Sequence, residues 1–294
     1  MSYRGSRQLL GGLFVVPSIL VLLTTIIYPL LSILLYSGQD RSLGSRRYGT
    51  FAGLDNYRAI LESDDFLASV LRSLSVTTLS VLLTLVFSTV IALMLHKSFP
   101  GRGLARSLVI LPWAMPTFVA AFVWRWLVDY TYGAFNQMLL QSGLAATPVF
   151  FLSRDTALLT ASLVYTWKGI PWATMVILAG LQVYPPELHE AARVDGASAW
   201  REWWSVVLPS LRFVMQITVI LSFVWNFNWF EMMWLLTQGG PGRATTVLPI
   251  GVYLEAFRAF DMGAASALGV VMLLLLLALT LVMFRVWSRD EAAL

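Results

Sequence analysis

Six long segments of this chain carry at most one charged residue each, and they constrain its fold more than any other feature. They are residues 9–36, 69–95, 107–128, 157–182, 213–236 and 262–287. A helix needs about 20 predominantly apolar residues to cross the hydrocarbon core of a bilayer. Because that core offers no water to backbone groups, each segment should be helical. The sequence therefore predicts an all-α membrane protein with six transmembrane helices.

Composition supports this interpretation and excludes several other classes. Hydrophobic residues make up 58% of the chain and charged residues 12%, whereas soluble domains carry about 25% charged residues. The chain has no cysteine, which excludes disulfides and cysteine-ligated metals. The two histidines, His96 and His189, are far apart in sequence. The small net charge of +4 is spread along the chain, so we expect no nucleic-acid partner and no metal site.

The distribution of arginine and lysine predicts the orientation. With the N-terminus inside, the basic residues of the inner segments slightly outnumber those of the outer segments, as the positive-inside rule expects. The short loop HKSFPGRGLAR supports the same orientation. We therefore expect both termini to be cytoplasmic. The first apolar segment lacks a clear cleavage site, so we interpret it as a retained span.

The connector between the fourth and fifth spans, residues 183–212, contains an unusual mixture of charged and small residues. Its prolines favour a helix start, and Asp195 with Gly196 favours a stop and a turn. A second helix is predicted from near Ser198, with Trp200, Trp203, Trp204 and Val207 on one apolar face and Pro209 at its end. Two short helices at the membrane surface would result. An interfacial hairpin without any partner has the same pattern.

The order of residues in this connector resembles a known loop. Glu190, Ala191 and Ala192 are followed by Gly196 and then by Val206-x-Leu208-Pro209. This is similar to the EAA loop of the membrane subunits of binding-protein-dependent ABC importers, with valine in place of the usual isoleucine. The segments FAGLDNY, LLTQGGPGRATT and AFDMGAASA resemble the maltose and glycerol-phosphate permease branch, in particular the larger maltose permease without its additional N-terminal spans.

The resemblance implies the ABC type I importer permease fold. It implies a single transmembrane domain over residues 1–294, with a core at about 69–287 and a cytoplasmic coupling loop at 183–212. In this family the loop docks on a separate ATPase. The residues that the resemblance assigns to coupling are Glu190, Ala191, Ala192, Asp195, Gly196 and Ala197.

The resemblance also implies partners. They are a second homologous permease, two ATP-binding subunits and an extracytoplasmic sugar-binding protein, besides membrane lipid and the sugar itself. Neither Lys97 nor Lys168 lies in a glycine-rich phosphate-binding loop. We therefore expect no enzyme activity and no cofactor in this chain, with ATP and Mg²⁺ bound by the partner ATPase, and location in the cell inner membrane.

Two polar clusters fall midway along the fourth and fifth spans, in YTWKGIPW (165–172) and SFVWNFNWF (222–230). Polar groups at membrane depth are costly unless they serve a function, although they also hold helices together. Tryptophan rings with a polar edge and the carboxamide of Asn226 suit a sugar. Ser222, Asn226 and Trp229 recur at helical spacing and should share one face.

The maltose-type resemblance assigns substrate contacts to eight positions. These are Tyr165, Lys168, Gly169, Trp172, Ser222, Trp225, Asn226 and Trp229. Trp225 replaces a phenylalanine and Trp229 an asparagine of the family pattern. We expect Gly169 and Pro171 to loosen the fourth span and open space.

Lys168 has several possible roles at the sequence level. It can donate to a sugar hydroxyl, offset an anionic substrate group, pair with Glu231, or remain hydrated in a pore.

The sequence favours the permease subunit of an ATP-driven sugar importer, for a di- or oligosaccharide. An importer of a glycerol phosphodiester or a polyamine is an alternative. An ion-driven secondary transporter and a membrane scaffold or intramembrane enzyme are rivals from other classes. The EAA-like loop disfavours the secondary transporter, and the absence of a catalytic constellation disfavours the enzyme.

Overall fold

The computed structural model describes residues 14–183, 192 and 195–291, and this part of the chain is helical apart from loops and isolated β-bridges. The helices, in chain order, are α1 (Phe14–Ser37), α2 (Asp55–Leu61), α3 (Phe66–His96), α4 (Arg102–Ala114), α5 (Thr117–Leu127), α6 (Ala134–Gln141), α7 (Ala157–Val183), α8 (Trp200–Phe227), α9 (Phe230–Thr237), α10 (Leu248–Phe257) and α11 (Met262–Glu291).

Within the described residues, four helices are long and apolar enough to cross a membrane, namely α1, α3, α8 and α11. The pair α4 and α5 adds a fifth crossing if it is counted as one bent span. Helix α7 is also long, with 27 residues, but more of its side chains are polar. Many of these polar side chains are buried against other helices, so they do not face lipid.

The third predicted span is wrong as a single helix. Residues 107–128 are divided between α4 and α5, which meet at an angle of 93°. Pro112 lies inside α4 and Pro116 is the N-cap of α5. A proline removes a backbone donor and clashes with the preceding turn. Two prolines four residues apart therefore end one helix and begin another.

The fifth predicted span is also divided. Helix α8 ends at Phe227 and α9 begins at Phe230, so residues 213–236 are not one helix. The Asn228 side chain donates to the carbonyl oxygen of Val224 at 2.8 Å. This bond replaces a helical backbone bond, as asparagine does where helices end.

The second half of the connector is not a separate surface helix. Helix α8 begins at Trp200 and continues without interruption through Pro209. A π-helical turn at Trp203–Val207 precedes the proline, and such a turn relieves the clash between a proline ring and the previous turn. The prediction that Pro209 ends this helix is therefore wrong.

The π-helical turn also changes which residues share a face. Val207 is buried and Trp203 packs against the core, whereas Trp200 and Trp204 are 71% and 53% exposed. The predicted single apolar face of these four residues is therefore divided into an inner and an outer pair.

The chain forms two compact units. The first contains the described residues up to Leu67 together with Gly251–Leu275, and the second contains Ala68–Ile250 together with the end of α11. The second unit has an apolar core built by α3, α7 and α8. Its members are Ala92, Leu95, Ile177, Leu178, Leu181, Val207 and Leu211.

In the first unit, two of the sequence motifs meet. Asn56, from FAGLDNY, donates to the carbonyl oxygens of Ser37 and Gln39, each at 2.9 Å. Asp261, from AFDMGAASA, caps α11 by accepting from the backbone N–H of Ala264 at 2.9 Å. Gly263 follows directly, and a Cβ there would collide with the Gln39 carbonyl. These motifs fix the end of α1 against the start of α11.

Candidate functional site

A cavity of about 610 Å³ lies within the second unit, among α4, α5, α7 and α8. Its volume falls within the range of small-molecule sites. Its lining residues are Thr84, Trp113, Ala114, Met115, Pro116, Thr117, Lys168, Gly169, Trp172, Ser222, Val224, Trp225, Asn226, Asn228 and Trp229. Lys168 lies eleven residues after the start of α7, which is about 16 Å along that helix. The cavity therefore lies about midway along α7.

The structure places seven of the eight predicted substrate residues on this one cavity. Tyr165 is the exception, because it is 1% exposed and its ring packs edge-on against Trp229 at 4.6 Å. Its hydroxyl donates to the carbonyl oxygen of Trp229 at 2.7 Å. Tyr165 therefore packs behind Trp229, which does line the cavity.

A second aromatic pair joins α7 to α8 on the cavity wall. Trp172 and Trp225 pack edge to face with ring centroids 4.7 Å apart, and Trp225 is 51% exposed. The prediction that Trp229 shares a helical face with Ser222 and Asn226 is wrong, because Trp229 lies beyond the end of α8. It reaches the cavity because the break turns the chain there.

Several polar groups on the wall have unused hydrogen-bonding capacity. Within the described part of the chain, the carboxamide of Asn226 and the hydroxyl of Ser222 have no protein hydrogen bond, and neither does the indole N–H of Trp172 or Trp225. A carboxamide offers two donors and an acceptor. The wall therefore combines ring surfaces with available donors and acceptors.

The ammonium group of Lys168 forms hydrogen bonds to backbone carbonyls. Its ammonium donates to the carbonyl oxygens of Pro112 at 3.0 Å and Trp113 at 3.3 Å, and also to that of Met115. The side chain is 7% exposed. These three acceptors lie at the junction of α4 and α5, and they account for the three protons of the ammonium.

Gly169 permits close packing and does not create free space. A Cβ at this position would lie 3.2 Å from Oγ1 of Thr84 on α3, and α7 continues through Pro171. Thr84 belongs to a buried row of small polar residues on α3. The row is Ser69, Ser73, Thr77, Ser80, Thr84 and Ser88.

The coupling residues are described in part. Glu190 and Ala191 lie outside the described residues. The backbone N–H of Ala197 donates to the carbonyl oxygen of Ala192 at 2.9 Å, which closes a turn around Asp195 and Gly196. Gly196 has φ +73°, a conformation that side chains with a Cβ disfavour. Asp195 and Gly196 are exposed, and we call this turn the elbow.

Sequence reasoning missed one wall of the cavity, which runs from Trp113 to Thr117. Prolines within a membrane helix are a signal for a bend, and Pro112 and Pro116 give that signal here. They did not indicate that the bend would turn Trp113 and Thr117 toward α7. Asn228 was also missed, although an asparagine late in an apolar helix is a recognisable stop signal.

The described geometry is that of a helical membrane protein with a central cavity and an exposed elbow, and comparison with known proteins identifies its family. Residues 84–290 match the family described as "Binding-protein-dependent transport system inner membrane component". The chain belongs to this family. It is therefore a multi-pass permease of the inner membrane.

Relatives of this permease are similar over nearly the whole chain. The trehalose/maltose transport system permease protein MalF of Thermococcus litoralis is 33% identical over 293 residues, covering 99% of this chain and 97% of the relative. The sn-glycerol-3-phosphate transport system permease protein UgpA of Agrobacterium fabrum is 28% identical over 283 residues, covering 95% and 94%.

A solved structure has the same fold as the permease. It is a bacterial ABC transporter involved in the import of the acidic polysaccharide alginate, with a TM-score of 0.84 and 21% sequence identity. The match covers 97% of this chain and 96% of the other. The type I importer permease fold inferred from the EAA-like loop is thereby confirmed.

Proposed function

We propose that this permease forms half of the translocation pathway of an ATP-driven importer for an uncharged di- or oligosaccharide. The observation that carries the proposal is the cavity midway along the bundle, with Trp172, Trp225 and Trp229 beside Asn226 and Ser222. Sugars have apolar ring faces and hydroxyl edges. Tryptophan faces pack on the former, and free carboxamide and hydroxyl groups bind the latter.

The charge of the wall favours an uncharged solute over a glycerol phosphodiester or a polyamine. Among the lining residues, Lys168 is the single ionisable side chain, and its three protons are directed to main-chain carbonyls. Anionic phosphate sites typically present arginine forks or free backbone N–H groups, and a polyamine would need carboxylates. The wall provides neither arginine nor carboxylate.

Movement at the elbow can reach the cavity through a single helix. Helix α8 begins at Trp200, directly after the turn at Gly196, and carries Ser222 and Asn226. Twenty-six residues separate Trp200 from Asn226, a span of about 39 Å. Val207 and Leu211 pack the N-terminal part of α8 against α3 and α7. In this proposal ATP binding moves the elbow, and α8 transmits the movement to the cavity wall.

The proposal includes six crossings with both termini cytoplasmic. Helix α7 and the bent pair α4–α5 would join the four apolar helices α1, α3, α8 and α11. The partners are a second homologous permease, two ATP-binding subunits and an extracytoplasmic sugar-binding protein. The ATPase would bind ATP and Mg²⁺ and dock at the elbow and the other predicted coupling residues between Glu190 and Ala197.

The substrate is tested by an uptake panel. The complete transporter is reconstituted in liposomes with its binding protein, and uptake of labelled maltose, trehalose, sn-glycerol 3-phosphate and spermidine is measured. We expect saturable uptake of a neutral saccharide. Uptake confined to the phosphate ester or the polyamine would contradict the assignment of an uncharged sugar.

A further inference from the structure

The junction of α4 and α5 leaves main-chain carbonyls without their normal helical donors. In a continuous helix the carbonyl of Pro112 would accept from the N–H of residue 116, which is a proline and has none. The carbonyl of Trp113 would accept from residue 117, which instead begins a new helix at 93°. Met115 is extended, with ψ 131°. Within a membrane such groups need a partner in the protein or in a water-filled cavity.

Lys168 supplies that partner. Its ammonium donates to the carbonyls of Pro112, Trp113 and Met115 together, although it belongs to a different helix, α7. The C-terminal end of a helix carries partial negative charge, so a cation at the end of α4 is favourable in charge as well. Lys168 is 7% exposed, so the protein covers most of its side chain at this junction.

The same junction forms a wall of the cavity. The residues from Trp113 to Thr117 line it, and their direction depends on the bend. The lysine therefore acts on the cavity through the backbone that it holds.

We propose that Lys168 is a positioning residue: it joins the broken third span to α7, fixes the wall from Trp113 to Thr117, and does not act as a charge-binding group for substrate. This inference rests on the proposed function for its consequence in transport. The contact between Lys168 and the junction can be tested without any substrate.

The first test measures the position of the wall. Because the chain contains no cysteine, Thr117→Cys introduces a unique thiol on this subunit at the cavity. Its rate of labelling by N-ethylmaleimide is measured in the complete transporter, with and without Lys168→Met. We expect labelling to accelerate about threefold or more when the lysine is replaced, because the wall loosens. Lys168→Arg should restore most of the normal rate, and Lys97→Met, at the other lysine of the chain, should leave it unchanged.

The second test supplies the missing donor directly. Pro116→Ala introduces an N–H at residue 116, and an extension of α4 through Met115 would let this group bond the Pro112 carbonyl. We expect Lys168→Met to lower the Tm of the transporter by about 5 °C, and Pro116→Ala to recover part of that loss in the double variant. If Lys168→Met prevents assembly, recovery of assembly in the double variant supports the assignment, and an equal loss contradicts it.

Unchanged labelling of Thr117→Cys in Lys168→Met would overturn the proposal. If saccharide uptake also fell in that variant, Lys168 would act on the substrate itself. Absence of saccharide uptake by the unmodified transporter would refute the proposed function, while the labelling and Tm results would still decide the role of Lys168.

Discussion

Single side chains divide into those that shape the cavity and those with groups left for a ligand. Tyr165 is fully used by the protein, since its ring packs on Trp229 and its hydroxyl bonds the Trp229 carbonyl. Asn226 is half-buried and has no hydrogen bond from its side chain within the described residues. We therefore expect Asn226, rather than Tyr165, to contact substrate.

Replacement of Asn226 by leucine removes this available carboxamide at similar size. Loss of one or two ligand hydrogen bonds, at about 1.4 kcal/mol in total, should reduce uptake about tenfold at subsaturating sugar. Gln216→Leu is a matched control, because Gln216 lies on the same helix and does not line the cavity. Equal uptake by the two variants would show that Asn226 does not bind the solute.

Gly169 is expected to be intolerant of a methyl group. In Gly169→Ala the new Cβ would lie 3.2 Å from Thr84 Oγ1, and we expect this overpacking, at about 1–3 kcal/mol, to exceed the gain of about 1 kcal/mol from the helix propensity of alanine. Gly269→Ala on α11 is the control, since nothing lies within 4 Å of its added Cβ and alanine favours a helix. Thermal unfolding in detergent should show a lower Tm for the first variant and an equal or higher Tm for the second. A reversed order would contradict the packing of α7 on α3.

At the scale of elements, the unbroken helices were predictable and the breaks were not. Helix α7 was expected at 157–182 and is Ala157–Val183, because its apolar residues and flanking turns set its limits. Prolines such as those of the third span signal a bend, but the 93° angle depends on what packs against it. The partners of Lys168 likewise could not be predicted, since the sequence does not show which carbonyls the bend frees.

In the proposed mechanism, the start of α8 passes movement of the elbow to the rest of the helix. The sequence predicted two short surface helices, whereas α8 continues from Trp200 to Phe227. A rigid extension transmits displacement better than a hinged one. We therefore expect substitutions in the turn at Gly196 to affect coupling more than cavity binding.

The turn is tested with Gly196→Val and Gly196→Asn. Gly196 has φ +73° with open space around it, so strain comes from the backbone. Valine strongly disfavours this conformation, whereas asparagine tolerates it. We expect both variants to insert in the membrane, and Gly196→Val to lose most ATP-dependent uptake while Gly196→Asn retains a larger part. Normal uptake by Gly196→Val would count against a coupling role for the turn.

At the scale of the whole molecule, helix α8 runs from the exposed turn at Gly196 to the cavity that it lines together with α4, α5 and α7. In the proposed mechanism this chain contributes to the pathway, α8 transmits the movement, and a separate ATPase supplies the energy. An ion-driven transporter with the same cavity would need no such partner, and this difference separates the two classes of mechanism.

The most direct measurement is uptake of a labelled neutral disaccharide into liposomes that contain either the complete transporter or the two permease subunits alone. The external binding protein is added in both cases, and ATP is enclosed. For an ATP-driven importer we expect uptake by the complete transporter, and no uptake when the ATPase subunits or ATP are omitted. Sustained accumulation by the permease subunits alone, driven by an ion gradient, would contradict this mechanism.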